Sequence, residues 1–303
     1  MAPYLFEQLL NGIQLGFILF LVASGLTLIL GIANVLNLAH GAFYMVGAYL
    51  AASVAGATGS FWMGLAAAAL GTGGFGLLVE RLVVRRLYTR DHLDQVLATF
   101  ALLLIANEAV RMVWGSQPLN LAIPRPLAQP LELGPIGYSA YRLTLMGIGL
   151  LLSLAFFWVI SRSRVGMWLR AAASNWTMAR SMGIRVSRLY TGTFGASAAL
   201  AGVAGALVGP ITAVHLGMSS DILILCFVTV VIGGVGSIKG AFWGAMLVGL
   251  VDTAGRAFLP SLFQAVFPPA VAANLGPTLV AMAVYLLMAL VLIFRPEGLF
   301  PSR

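Results

Sequence analysis

Four charged side chains lie inside long apolar runs: Glu108 and Arg111, three apart, and Asp252 and Arg256, four apart. An ionisable group at membrane depth is a functional candidate by default, because desolvating it is costly unless it binds or relays something. Both spacings also put each couple on one face of a helix, where it can neutralise itself as an ion pair, so the structural reading stands level with a transport role. A proton-coupled carrier needs an unpaired titratable carboxylate near mid-membrane, and the sequence offers no clear one. Asp221 falls at the end of a span, where the positive pole of a helix favours a carboxylate without further purpose.

Enzyme chemistry has little to stand on. The sequence contains no HExxH, no GxSxG elbow and no GxxxxGK[ST] phosphate loop. His40, His92 and His215 lie on different segments without metal-ligand spacing. Cys226 is the one cysteine, so an intrachain disulfide is impossible. No catalytic residue, metal site or cofactor bound by this chain is expected. The stretch "GIANVLNLAHGAFYMVGAYLAA" sets Asn34, Asn37 and His40 just before Gly41. Polar groups and glycine at such depth fit backbone that lines an aqueous path, or equally a short internal turn whose asparagine caps the next helix.

The elements that must position these residues follow from composition. The chain is 60% hydrophobic and 9% charged, with a mean hydropathy of +0.99, whereas a soluble domain is about a quarter charged. Apolar runs long enough to cross about 30 Å of hydrocarbon recur without strand-like alternation. The fold class is therefore all-α: one polytopic transmembrane bundle over 1–303, with about 8–10 membrane segments. Spans are placed at 8–31, 41–57, 61–80, 94–114, 143–160, 190–212, 222–237, 241–259 and 277–294. The 41–57 and 222–237 segments are short, and are read as tilted, interrupted or re-entrant.

Loop charge sets the expected orientation. "ERLVVRRLYTRDH" carries Arg81, Arg85, Arg86 and Arg90, and the region 161–189 is also basic, so both are assigned to the cytoplasm. The proline-rich stretch between 115 and 142 has only Arg125 and Arg142 and is assigned outside. Nine spans then put the C-terminus in the cytoplasm and the N-terminus, which has no basic residue before Arg81, in the periplasm. The first run lacks a basic leader and is read as a retained span. The formal charge of +8 follows from this bias, and nucleic acid is not an expected partner. Runs such as "GTGGFG" and "GASAALAGVAGALVG" are read as close-packing helix faces. "HGAFYMVGAYL" and "KGAFWGAMLVGL" echo one another; the abundance of Gly and Ala favours shared composition over duplication.

The segment "RVGMWLRAAASNWTMARSMGIRVSR" concentrates five of the chain's seventeen basic residues. Within it Ala171, Asn175, Ala179 and Gly183 recur every fourth residue, which in one continuous helix forms a narrow small-residue face suited to docking into a protein cleft. A juxtamembrane basic helix held against anionic headgroups is the alternative, and on physics alone it comes first.

A resemblance shifts that balance. The pattern Gly166, Arg170, Ala171, Asn175, Ala179, Gly183, Ile184 resembles the cytoplasmic coupling loop of ABC-importer permeases. "SGLTLILGIANVLNLAHGAFYMVGAYLA", "VIGGVGSIKGAFWGAMLVG" and "FRPEGLF" are similar to the H-type permease of branched-chain amino-acid importers. The resemblance implies a bacterial inner-membrane subunit paired with a related M-type permease, two cytoplasmic ATPases and a periplasmic binding protein. ATP and magnesium would then sit on the ATPases, and Asn37, His40 and Gly41 near the translocation path. Urea and short-chain amide permeases share the general pattern and are the near alternative, "AHGAF" favouring amino acids. A self-contained secondary carrier or channel is the alternative of a different class.

Overall fold

The computed structural model describes residues 2–133, 136–266 and 269–300. Its membrane-length helices are α1 (Ala2–Ala33), α2 (His40–Thr58), α3 (Phe61–Val79), which runs through a π-helical turn (Glu80–Val84) into a short α4 (Arg85–Leu87), then α5 (His92–Trp114) and α6 (Ala140–Arg162). Two short helices follow, α7 (Arg164–Ser174) and α8 (Trp176–Ser181), and then α9 (Val186–Thr212), α10 (Met218–Gly233), α11 (Ile238–Val266) and α12 (Pro269–Phe294). Seven stretches among the described residues are long and apolar enough to cross a membrane, with two shorter apolar helices at Met218–Gly233 and Met282–Phe294. The nine spans of the sequence reading each correspond to one of these helices.

α1 and α9 form the centre. α11, α9, α6 and α10 all pack on α1, while α2 and α3 pack on α9. α5 and α6 sit at the periphery and turn large apolar side chains such as Leu104, Met112, Leu151 and Trp158 outward, as lipid-facing helices do. Because hydrocarbon supplies no hydrophobic drive between helices, close backbone approach must do the work, and the glycine-rich runs provide it. At the α2–α9 crossing a Cβ on Gly47 would run into the backbone of Gly202.

The two short spans are continuous helices that begin inside the bundle. α1 ends at Ala33, Asn34 takes a left-handed φ of 52°, and the chain turns back into the bundle before α2 starts. The His40 ring reaches the carbonyl of Val22 at 3.0 Å, which lies about three turns before the end of α1. α10 likewise begins inside, where the carbonyl of Ser219 presses on Gly41. At one end of the bundle a small antiparallel hairpin, β1 (Pro130–Leu133) with β2 (Ile136–Ser139), covers the loop before α6. At the other end the tail motif folds under α10, Leu299 and Phe300 donating backbone bonds to Ile232 and Gly233 at 2.9 and 3.0 Å.

Candidate functional site

The basic segment is built as a fixed elbow on the arginine-rich end of the bundle. Ser163 leaves helical geometry, its hydroxyl accepts the Gly166 N–H at 3.2 Å, and α7 starts in a new direction from α6. Gly166 is buried, and a Cβ there would strike the carbonyl of Ile160. Arg170 donates to that same carbonyl. These two residues therefore clamp α7 against the end of α6.

The segment does not form the single helix with one small-residue face. Asn175 is extended, with φ −153° and ψ 101°, and its Oδ1 accepts the Met178 N–H at 2.9 Å as the N-cap of α8. An asparagine side chain competes for backbone donors, so the chain ends one helix and begins another where periodicity alone suggests continuity. Ala171 and Asn175 consequently face out, whereas Ala179 is buried with Ala172, Val186 and Tyr190. α8 ends in a Schellman motif: Gly183, at φ 85°, donates to Arg180, and Ile184 donates back to Ala179 at 3.2 Å. The outward face instead carries Trp168, Met178 and Met182, the last 78% exposed, while Trp176 lines the concavity between the segment and the bundle.

Behind this segment the structure places a group that loop charge had marked only for topology. Glu80, fully buried, accepts two hydrogen bonds from Arg85 at 3.3 and 3.2 Å and one from the Tyr88 hydroxyl at 3.2 Å. Arg85 also donates to Thr191 of α9 at 2.7 Å. Burial, reinforced by the Glu80 carboxylate, pushes the Tyr88 phenol well above its usual range. Tyr190 closes the adjoining seam by donating to the Ile32 carbonyl at 3.0 Å. Sequence periodicity could not flag this network, because a five-residue spacing does not share a face of a regular α-helix.

Asn37, His40 and Gly41 come together deep in the bundle. Asn37 and His40 are inaccessible to solvent. Asn37 Oδ1 accepts the Ala39 N–H at 3.1 Å within the turn, while α2, with Ala39 at its N-cap, has no side-chain cap of its own. His40 Nε2 donates to Val22, which leaves Nδ1 as the acceptor, and neither Nδ1 nor Asn37 Nδ2 has a partner among the described residues. Leu38 of this turn donates to Thr99 at 3.1 Å and Ser219 to Asn107 at 3.1 Å, tying the turn and α10 to α5. Asn37, His40 and Gly41 sit in a packed interior, whereas Asn34 is exposed and, with Ile32 and Ala33, lines the concavity that the basic segment also walls.

Both intramembrane couples form ion pairs. Arg256 holds buried Asp252 through two bonds at 2.8 and 3.1 Å. Glu108 and Arg111 meet at 3.6 Å with both side chains 60% exposed.

An all-α bundle of apolar helices, two of them beginning inside it, with a basic elbow clamped at one end, is the architecture of a multi-pass membrane permease. The sequence matches the family described as the permease component of branched-chain amino acid transport systems over residues 8–294, and the chain belongs to that family. It is 30% identical to the high-affinity branched-chain amino acid transport system permease protein BraD of Pseudomonas aeruginosa, over 97% of this chain and 94% of that protein. It is 29% identical to the corresponding LivH protein of Escherichia coli, over 86% and 89%. A probable branched-chain amino acid transport permease protein LivH of Methanocaldococcus jannaschii is 26% identical over 81% and 79%. No solved structure matches the chain.

Proposed function

We propose that this chain is the membrane-spanning subunit of an ATP-driven importer, carrying branched-chain or similar hydrophobic amino acids across a bacterial inner membrane. Its partners in this reading are a related M-type permease, two cytoplasmic ATPases that hold ATP and magnesium, and a periplasmic binding protein. The names of the relatives, all branched-chain amino acid permeases, favour this substrate class over urea or short amides. The arginine-rich end is assigned to the cytoplasm by the positive-inside bias, which puts the C-terminus inside and the N-terminus outside.

The observation that carries the reading is the clamped elbow with its exposed apolar face. An ATPase cleft that closed on Trp168, Met178 and Met182 would push on a unit that cannot fold away, because Gly166, Arg170 and the Schellman turn fix it at both ends. Displacement of α8 would pass through Ala179 to Val186 and Tyr190 on α9, and from Tyr190 to the end of α1. Gly166, Arg170, Asn175, Gly183 and Ile184 thus shape the coupling unit, and Ala171 belongs to its docking surface. Asn37, His40 and Gly41, where α2 begins beside the start of α10, are the proposed neighbourhood of the translocation path.

Reconstitution tests the reading. Proteoliposomes containing this chain, its partner permease, the ATPases and the binding protein should take up leucine only with ATP. Uptake by the lone chain driven by an ion gradient would overturn it in favour of a secondary carrier.

A further inference from the structure

A cavity of about 1250 Å³ opens between the basic elbow and the helix bundle, and five arginines line it: Arg81, Arg85, Arg180, Arg185 and Arg188. No aspartate or glutamate among the described residues lines it. Glu80 lies behind Arg85 and is consumed by it, while Arg81, Arg180, Arg185 and Arg188 have no ion pair among the described residues. Arg180 lies over the Trp176 ring at 5.6 Å, which orients the guanidinium without neutralising it.

The positive-inside bias explains why arginines are at this end of the bundle. It does not explain why they converge on one concavity, since juxtamembrane cations repel each other and gain by spreading out. A second source of positive potential meets them there. The 27-residue α9 begins at the cavity wall with Arg185 at its N-cap, no side-chain cap and no acidic residue in its first turn. The Val186 N–H is taken by the Ile184 carbonyl at 2.9 Å, and the remaining first-turn N–H groups and the dipole of so long a helix favour an anion there. Guanidinium forks suit phosphate oxygens in particular, because they pair with them two bonds at a time.

We propose that this cavity binds a phosphate group, supplied either by the headgroup of an anionic phospholipid or by a soluble phosphate compound. Arg180, Arg185 and Arg188 are its exposed contacts, and Arg85, fixed by Glu80 and Thr191, is its anchored one. Arg180 belongs to α8 and Arg188 to α9, so an occupied site ties the elbow to the bundle. The site does not depend on ATPase docking and is measured on the full chain without the ATPases.

The test has two arms. In the first, inorganic phosphate is titrated into the chain in phosphatidylcholine nanodiscs and followed by calorimetry. In the second, native mass spectrometry compares retention of phosphatidylglycerol with that of phosphatidylcholine. Saturable phosphate binding identifies a soluble ligand, and selective phosphatidylglycerol retention identifies a lipid. In the positive arm R180Q/R188Q should weaken binding at least tenfold. R164Q, which removes one positive charge from the same segment outside the cavity, as R185Q does inside it, should stay within twofold of the parent. R180K/R188K should bind more tightly than the glutamine pair. Should the glutamine pair not fold, R185Q alone should weaken binding at least threefold. Binding in neither arm, an equal loss in R164Q, or an unchanged R185Q would overturn the proposal. It would equally fall if neither arm binds and the arginines become protected only when the ATPases are added, which would make them protein contacts.

Discussion

Glu80 and Arg85 are joined by two hydrogen bonds, at 3.3 and 3.2 Å, although five residues separate them on one helix. The π-helical turn over Glu80–Val84 makes this possible, since its i to i+5 bonding brings fifth neighbours onto one side. The two partners are not equally exposed: Glu80 is fully buried, and the Arg85 side chain is 43% accessible. Removing the arginine strands a buried carboxylate, whereas removing the carboxylate leaves a cation that still reaches water. Arg85→Met should therefore cost about 3–5 kcal/mol, the range for breaking a buried pair, and Glu80→Gln clearly less. Thermal unfolding of both variants in one detergent checks the order, and an Arg85 variant as stable as the Glu80 variant would refute it.

Tyr88 makes a related pH prediction. Its folded pKa is raised, first by burial and then by Glu80, so the native state keeps a proton that the unfolded chain releases near pH 10. The unfolded state then binds fewer protons, and stability falls as pH rises above that point, by up to about 1.4 kcal/mol per pH unit from this group. Below pH 10 both states are protonated and the contribution is constant. Tyr88→Phe should flatten the alkaline limb of a stability profile relative to the parent. Superimposable slopes above pH 10 would show that Tyr88 titrates as freely when folded as when unfolded.

Why some of this was legible in the sequence and some was not comes down to which physical signal each feature leaves. Apolar length is a strong signal, and the helices Ala140–Arg162 and Val186–Thr212 begin and end within a few residues of the spans 143–160 and 190–212. The shortness of 41–57 and 222–237 also spoke correctly, since α2 and α10 both begin inside the bundle. The Asp252 and Arg256 pair was visible in its four-residue spacing. The Glu80 network was not, because it depends on a π-turn that no helical periodicity announces, and on Thr191 more than a hundred positions away. The elbow was misread for a different reason. A repeat of four predicts a face only while the helix continues, and Asn175 interrupts it.

That interruption can be tested directly. Asn175→Ala removes the side-chain acceptor of the Met178 N–H and should cost about 1 kcal/mol, the usual value of an N-cap. Asn175→Asp keeps the acceptor and should restore most of it. Because α8 is a six-residue helix, the loss should appear locally, as faster amide exchange over 176–182 with little change in α9. Equal exchange in the alanine and aspartate variants would mean that the cap is not what holds α8.

Ala171 and Ala179 separate the two roles that a continuous helix would have given both. Ala179 is 3% exposed and packed among Ala172, Val186 and Tyr190, so Ala179→Phe forces a large ring into a filled space. Overpacking of this kind costs about 1–3 kcal/mol, and the variant should melt earlier even without any partner present. Ala171 is exposed, and Ala171→Phe should leave the melting temperature of the lone chain unchanged. If the outer face of the elbow docks an ATPase, Ala171→Phe should nevertheless reduce ATPase co-purification and ATP-dependent uptake several-fold. Met178→Asp, on the same exposed face, should do the same by placing a charge in an apolar contact. A stable Ala171→Phe chain that still binds its ATPases and transports normally would remove this face from the coupling interface. The same result in Met178→Asp would dismiss the elbow's apolar surface as the docking site altogether.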